Sequence, residues 1–348
     1  MVKVSVIMPV YNGEDFLAES IDCILNQTLT DLELICVDDG SVDDSLNILN
    51  ELAGSDSRIQ VYHQENRGGG AARNVALTYA SGEYVYFMDA DDKLELDALE
   101  KLYGLCEEKN LDFTIFKAIN YDEDTGKYYE TPDYSMEKLA TQMKGKVFSF
   151  DDLGDLIFNI TVTPWSKFYN LDFVKRSGAQ FAEGLIFHDN VFFWEVLFNA
   201  RSMYFLDEFL YTRRRYSKSS TGAGDKRYAN IIIIINRNIE LFIKYDQFER
   251  YKTTLYNKKI FWIYMRYENI QQKYKQFFFD EMKRDFSKML THERYNEFIK
   301  SLEFKNRAIY DACIKCDNTD DFDETLAKSL KTNKMKKALN KVSGLFKK

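Results

Sequence analysis

Apolar residues in the first 120 positions fall into short runs separated by helical stripes. Val4–Met8 is a β-branched apolar run that predicts a strand, and Pro9 is expected to end it because proline lacks a ladder donor. Leu17, Ile21, Ile24 and Leu25 recur at helical spacing, so a helix should pack back on that strand. Leu32–Val37, Ile59–Tyr62, Tyr84–Met88 and Phe113–Phe116 predict further buried strands, with a helical stripe at Leu99, Leu102, Tyr103 and Cys106. Strands alternating with helices imply an α/β fold with a mostly parallel central sheet and ligands at the carboxyl ends of its strands. Polar clusters stand at three of those ends: Tyr11-Asn12, Asp38-Asp39 and Asp89-Ala90-Asp91-Asp92.

Residues 121–160 are polar and aromatic without a clear period and predict irregular excursions; 161–222 are rich in aromatic, Gly and Arg residues. Beyond about residue 225 the chain has no Gly or Pro until Gly344 and is rich in Tyr, Phe, Ile and Lys, which predicts an all-helical appendage. The expected organisation is therefore 1–222, a helical domain 223–327, and a basic tail 328–348; no internal repeat is visible.

A net charge of −8 argues against nucleic-acid binding, which draws its affinity from Lys and Arg. The exception is the tail, with eight Lys and no acid. Five scattered cysteines suit free thiols in a reducing compartment better than a disulfide framework. Met1-Val-Lys-Val runs straight into a strand-like segment without a signal-peptide core, and Ile231–Ile235 is far shorter than the about 20 apolar residues of a membrane span. A cytoplasmic location is expected, unless something tethers the chain.

Alternate residues at a strand end point the same way, so Asp89 and Asp91 can converge on one point. Two carboxylates suit Mg²⁺ or Mn²⁺, which completes its shell with phosphate and water; the plainer reading is capping of the following helix. Leu94 stands where an EF-hand loop requires Gly. Asp38-Asp39-Gly40-Ser41 can present a carboxylate to a uracil imide or ribose, or can simply form an Asx turn. Pro9-Val10-Tyr11-Asn12-Gly13 lacks G-x-G-x-x-G, which removes a dinucleotide fingerprint, although Tyr11 can stack on a base. In Asn66–Asn74 three glycines permit close backbone approach to a ligand and Arg73 offers a fixed cation for phosphate, though such loops are most often only turns. Cys313-Ile-Lys-Cys316 has neither a second pair nor a neighbouring His, so zinc is not expected.

In series these segments resemble glycosyltransferase family 2 and its Rossmann-like GT-A fold. The ordered set is V-S-V-I-M-P-V-Y-N (4–12), V-D-D-G-S (37–41), N-R-G-G-G-A-A-R-N (66–74), G-E-Y-V-Y-F-M-D-A-D-D (82–92), P-W-S-K-F-Y (164–169), E-G-L-I-F-H-D-N (183–190) and Y-T-R-R-R-Y-S-K-S-S (211–220). The resemblance implies an inverting transfer of sugar from a nucleotide-sugar, with a UDP-sugar favoured, to a glycan or lipid-linked acceptor in polysaccharide or glycoconjugate synthesis. It implies a sugar-donor site of Pro9, Tyr11, Asn12, Asp39, Arg73, Asp89 and Ala90, with uracil held by Tyr11 and Asp39. Mn²⁺ or Mg²⁺ would sit on Asp91 and Asp89, and Asp189 would be the base. The family's usual Glu-Asp pair is His188-Asp189 here, so His188 is either a changed acceptor contact or a structural ring. Trp165 and Lys167 are candidate acceptor contacts, with core packing an equal reading for Trp165, and Arg213 and Arg215 are candidates to close over the diphosphate.

Two other functions fit parts of the pattern. A nucleotidylyltransferase would place a Gly-rich, Arg-containing loop after the first strand, where Pro9–Asn12 stands. A catalytically dead nucleotide-sugar-binding or scaffold protein is opposed by the intact Asp39, Asp89, Asp91 and Asp189. In the tail, Met335, Ala338, Leu339, Val342, Leu345 and Phe346 share one helical face edged by lysines, which suits an anionic membrane surface, or docking on the acidic remainder.

Overall fold

A computed structural model of the chain describes residues 1–216 and 224–331. Two units separate by contact, Met1–Ser220 and Thr221–Lys348. The first begins with β1 (Val4–Val10), α1 (Leu17–Leu25), β2 (Leu32–Asp38), α2 (Ser45–Ser55), β3 (Ile59–His63), α3 (Gly69–Tyr79) and β4 (Tyr84–Phe87). It continues with β5 (Lys93–Leu94), α4 (Ala98–Lys109), β6 (Phe113–Asp122), β7 (Lys127–Tyr129), α5 (Pro132–Ser135), α6 (Glu137–Met143), β8 (Val147–Phe148) and α7 (Phe150–Leu153). β9 (Lys167–Asn170), α8 (Leu171–Ser177), α9 (Asp189–Asn199) and β10 (Met203–Arg215) complete it.

The strands form one mixed sheet in the order β3-β2-β1-β4-β9-β6-β10-β5. β3, β2, β1 and β4 are mutually parallel, as the alternation of strand and helix requires. β9 enters antiparallel to both β4 and β6, so β6 runs the same way as β4. The expected parallel sheet is therefore α/β as anticipated, with an antiparallel strand at its centre. Val4, Val6, Met8 and Val10 of β1 lie against Leu17, Ile21 and Ile24 of α1 in a fully buried cluster. A strand covered on both faces reads as the continuous apolar run seen in the sequence.

Pro9 does not end β1. The ladder to β4 stops at the Ile7–Phe87 pair, whereas that to β2 continues through Pro9–Val37 to Val10–Asp38. Ile7 offers its carbonyl to Met88 N on the β4 side. Pro9, two residues on, turns its missing donor to that same side, beyond the last partner.

The second unit holds α10 (Asn230–Lys244), α11 (Phe248–Asn269), α12 (Lys275–Ser287), α13 (Tyr295–Ser301), α14 (Phe304–Lys315) and a helix over 319–331. Lys259 and Asp285 form a buried pair at 2.7 Å, and Asn236 completes it by donating to Asp285 and accepting from Lys259. Cys313 and Cys316 are buried free thiols, and burial pushes Cys313 up to about 12. A thiol so held is inert at neutral pH. Among the described residues no helix is long and apolar enough to cross a membrane. The proposed amphipathic face, Met335 to Phe346, lies outside the described residues.

Candidate functional site

The carboxyl ends of β1, β2 and β4 share one edge of the sheet because these strands are parallel. Tyr11 stands at the first end, half exposed at 52%. Asn12 follows in the left-handed region (φ 51°), a conformation that Asn tolerates better than most residues. Its backbone N–H donates to Ser41 Oγ (3.0 Å) and its Oδ1 accepts from Val42 N (2.9 Å), so it laces the first loop to the second.

Asp39 is buried and almost fully used by the protein. It accepts from Gln64 Nε2 (2.7 Å), Arg67 N (2.8 Å) and Gly68 N (2.7 Å), which clamps the Gly-rich loop in front of α3. A carboxylate has about four acceptor positions, so one remains for a ligand. Its neighbour Asp38 accepts from Ser41 N (3.3 Å), the Asx-type contact anticipated there, and lies 2.8 Å from His63 Nδ1.

One glycine of the loop serves internal packing. A Cβ on Gly70 would stand 2.9 Å from Ala182 O and 3.1 Å from His188 Cγ. Gly70 thus lets α3 meet the segment before α9, and this position needs no ligand to explain it.

Arg73, on α3, is 5% exposed and forms an ion pair with Asp89. Its NH1 also reaches Gly69 O (3.4 Å) and lies 3.5 Å from His188 Nε2, and its guanidinium sits over the Phe181 ring at 5.6 Å. Ala90 is half-buried beside Gly13. Burial, then the neighbouring Asp89 charge, raises the Asp91 carboxyl above its ordinary range; Tyr216 donates to its Oδ2 at 3.0 Å. The two carboxylates therefore feel each other, although Ala90-Asp91 form a turn beyond the end of β4 and not the strand alternation expected there. Neither caps a helix, because α4 begins only at Ala98. Among the described residues no group of three or more His, Cys, Asp or Glu is arranged around a metal position. Two neighbouring carboxylates, Asp91 raised by burial and by the Asp89 charge, still fit a hard divalent cation, which needs only one or two of them plus phosphate oxygens.

Asp189 is the first residue of α9, where the positive end of the helix dipole favours its charge. Its side chain is 26% exposed. Burial works against ionisation, but His188, Arg73 and Lys167 outweigh it and hold the carboxyl below its usual range. His188 Nδ1 lies 2.8 Å from Asp189 Oδ1, close enough for a hydrogen bond but not aligned as one. Before them Phe187 adopts φ 64°, a costly backbone state for a bulky residue, and its carbonyl accepts from Asn190 N and Nδ2. Nothing in the sequence marks that strain.

Trp165 and Lys167 are not open to an acceptor. Trp165 is 3% exposed, with Tyr211 stacked on its face at 4.5 Å and Tyr134 against its edge at 5.0 Å. Lys167 is wholly buried, its Nζ donating to Thr161 O (2.6 Å) and Thr163 O (2.8 Å), and burial brings it down to about 7. Arg213 donates to Tyr134 Oη (2.9 Å) and lies near enough to draw Asp91 down, whereas Arg215 pairs in register with Asp122. Two structural residues were missed. Arg214, of opposite strand parity, pairs with Glu19 and Glu123 and donates to Asp91 O (2.9 Å). Asp92 is buried and accepts from Tyr211 Oη (2.5 Å) and Arg214 N (2.7 Å), tying β10 to the acidic loop. Parity was the available signal for Arg214, whereas Asp92 follows a turn at Ala90-Asp91 where no strand period marks it.

Residues 5–162 match the family described as "Glycosyl transferase family 2". The chain is 34% identical over 222 residues to Glycosyltransferase GlyG of Streptococcus pneumoniae serotype 4, covering 62% of this chain and 72% of that protein. It is 43% identical over 119 residues to the Poly(ribitol-phosphate) beta-glucosyltransferase of Bacillus spizizenii, covering 33% of this chain but only 19% of that longer protein. Among solved structures, S. aureus TarS 1–349 in complex with UDP-GlcNAc superimposes with TM-score 0.70 at 21% identity over 95% of this chain and 92% of that one. The mannosyltransferase PcManGT of Pyrobaculum calidifontis, in complex with GDP-Man and Mn²⁺, gives TM-score 0.54 at 15% identity over 86% and 83%.

Proposed function

The chain belongs to glycosyltransferase family 2, and from that premise we propose that it transfers a sugar, with inversion, from a UDP-sugar to a hydroxyl of a glycan or lipid-linked acceptor in surface-polysaccharide synthesis. The observation that carries this reading is the continuous set of contacts Asp89–Arg73–His188–Asp189, which joins the acids at the end of β4 to a charged carboxylate at the start of α9. The similarity to a poly(ribitol-phosphate) glucosyltransferase and to a UDP-GlcNAc complex favours a UDP-sugar and a polymeric acceptor.

Tyr11 offers an exposed ring to the uracil, beside the remaining acceptor position of Asp39. Arg73 holds Asp89 at the sugar-donor side through their ion pair, and Pro9, Asn12 and Ala90 line the same edge. A divalent cation on Asp91 and Asp89 would neutralise charge on the departing diphosphate. Asp189, ionised at neutral pH, takes the proton of the acceptor hydroxyl as that oxygen bonds to the anomeric carbon from the face opposite the leaving group. The bond from the anomeric carbon to the diphosphate oxygen breaks, and UDP leaves.

The test is UDP release from UDP-glucose, UDP-galactose and UDP-GlcNAc in Mn²⁺, for wild type and Asp189→Asn. Wild type should turn over at least one of them. The variant should bind UDP unchanged and transfer about 10²–10⁴-fold more slowly. UDP binding by both proteins with turnover by neither would favour the inactive nucleotide-sugar-binding alternative.

A further inference from the structure

His188 takes no step in the mechanism above, yet it touches both halves of the site. Its Nε2 lies 3.5 Å from Arg73 NH1 and its Nδ1 2.8 Å from Asp189 Oδ1. A guanidinium has only donors, so the ring nitrogen facing it must offer a lone pair. The one proton of a neutral imidazole then sits on Nδ1, facing the carboxylate. The ring is also held in place. It is 14% exposed, it meets the Phe181 ring edge-on at 5.7 Å, and the bare Cα of Gly70 leaves just the room it occupies.

We propose that His188 is the positioning residue of the base: its Nδ1–H engages Asp189 Oδ1 and leaves Oδ2 to take the acceptor's proton, while Nε2 ties the base to Arg73 and, through it, to Asp89. This rests on Asp189 being the base. Full engagement requires the carboxyl to turn about its Cβ–Cγ bond, a soft torsion, because at 2.8 Å the two atoms are close but not aligned. Because Nδ1 is already protonated, the proton taken from the acceptor stays on Asp189. A Glu at 188 would present only acceptor oxygens at neutral pH, which satisfy Arg73 but repel Asp189. Histidine meets both neighbours at once.

The chain has three histidines, so ¹⁵N-histidine NMR of the full-length protein, with His188→Phe to assign the signal, reads the tautomer directly. At neutral pH His188 should carry its proton on Nδ1; a proton on Nε2 overturns the proposal. Kinetics on the best UDP-sugar of the screen above give the second arm. His188→Phe keeps a ring in the slot and should lose about 10²-fold in turnover, the scale of a misplaced catalytic group, with UDP affinity unchanged. His188→Asn restores an N–H near the Nδ1 position and should recover about tenfold of that loss. Wild-type turnover in His188→Phe, with Asp189→Asn inactive, overturns the positioning role alone. Wild-type turnover in Asp189→Asn overturns the base assignment beneath it.

Discussion

Asp189 combines partial burial with three cationic or hydrogen-bonding neighbours, and the neighbours prevail, which keeps its carboxyl ionised below the range of an ordinary Asp. The acidic limb of turnover due to this residue should therefore fall below about pH 3.9, the value of a free Asp. An acidic limb that lies above that value and vanishes in Asp189→Asn would contradict the burial-versus-charge balance. Two glycines make a paired test of packing. Gly70→Ala drives a methyl to 2.9 Å from a fixed carbonyl and should destabilise by about 1–3 kcal/mol with loss of activity. Gly104→Ala, exposed within α4 with nothing within 4 Å of the new Cβ, should instead stabilise by up to about 1 kcal/mol. Urea unfolding of the two variants checks both signs.

At the scale of elements, the segment 161–166 is stitched to β9 by Lys167 and its two carbonyl acceptors. A neutral amine retains enough N–H donors for both bonds. With its native pKa lowered to about 7 against about 10.4 in the unfolded chain, Lys167 loses its proton in the native state first. Between those values the unfolded state binds more protons, so this group's contribution makes stability rise with pH. The difference in unfolding free energy between wild type and Lys167→Met should grow in favour of wild type from pH 7 to 9.5; a constant difference would mean that the amine does not titrate in that window. The elements themselves were largely legible. In the first 120 residues the five apolar runs became strands and the two helical stripes became α1 and α4, because period and turn residues act locally. The irregular 121–160 segment proved to be short helices, a strand β7 in a hairpin with β6 and a strand β8 paired with the distant β10, all too brief for a period to be recognised.

At the scale of the whole molecule, the charge of the bound diphosphate and the basic tail each make a prediction. UDP should raise the melting temperature of wild type more in Mn²⁺ than in EDTA, since a ligand that binds only the native state stabilises it. Asp91→Asn should abolish that Mn²⁺-dependent difference; an undiminished difference would remove Asp91 from the metal. Full-length protein should pellet with anionic vesicles and release at high salt, whereas a chain ending at Ala327 should stay in solution. Equal pelleting of both would acquit the tail.

The sequence by itself determined the α/β alternation, the polar clusters at three strand ends, the helical second half and the family, all of which rest on local period and ordered motifs. Only tertiary structure decided that β9 inserts antiparallel beside β4, that Tyr211 covers Trp165, and that Arg214 turns into the structure while Arg213 faces the acids. It also brought Arg73 against Asp89 and His188, 16 and 115 positions away in the chain. The physical reason is that register, face coverage and ion pairing are set by partners distant in sequence, and no local period carries them.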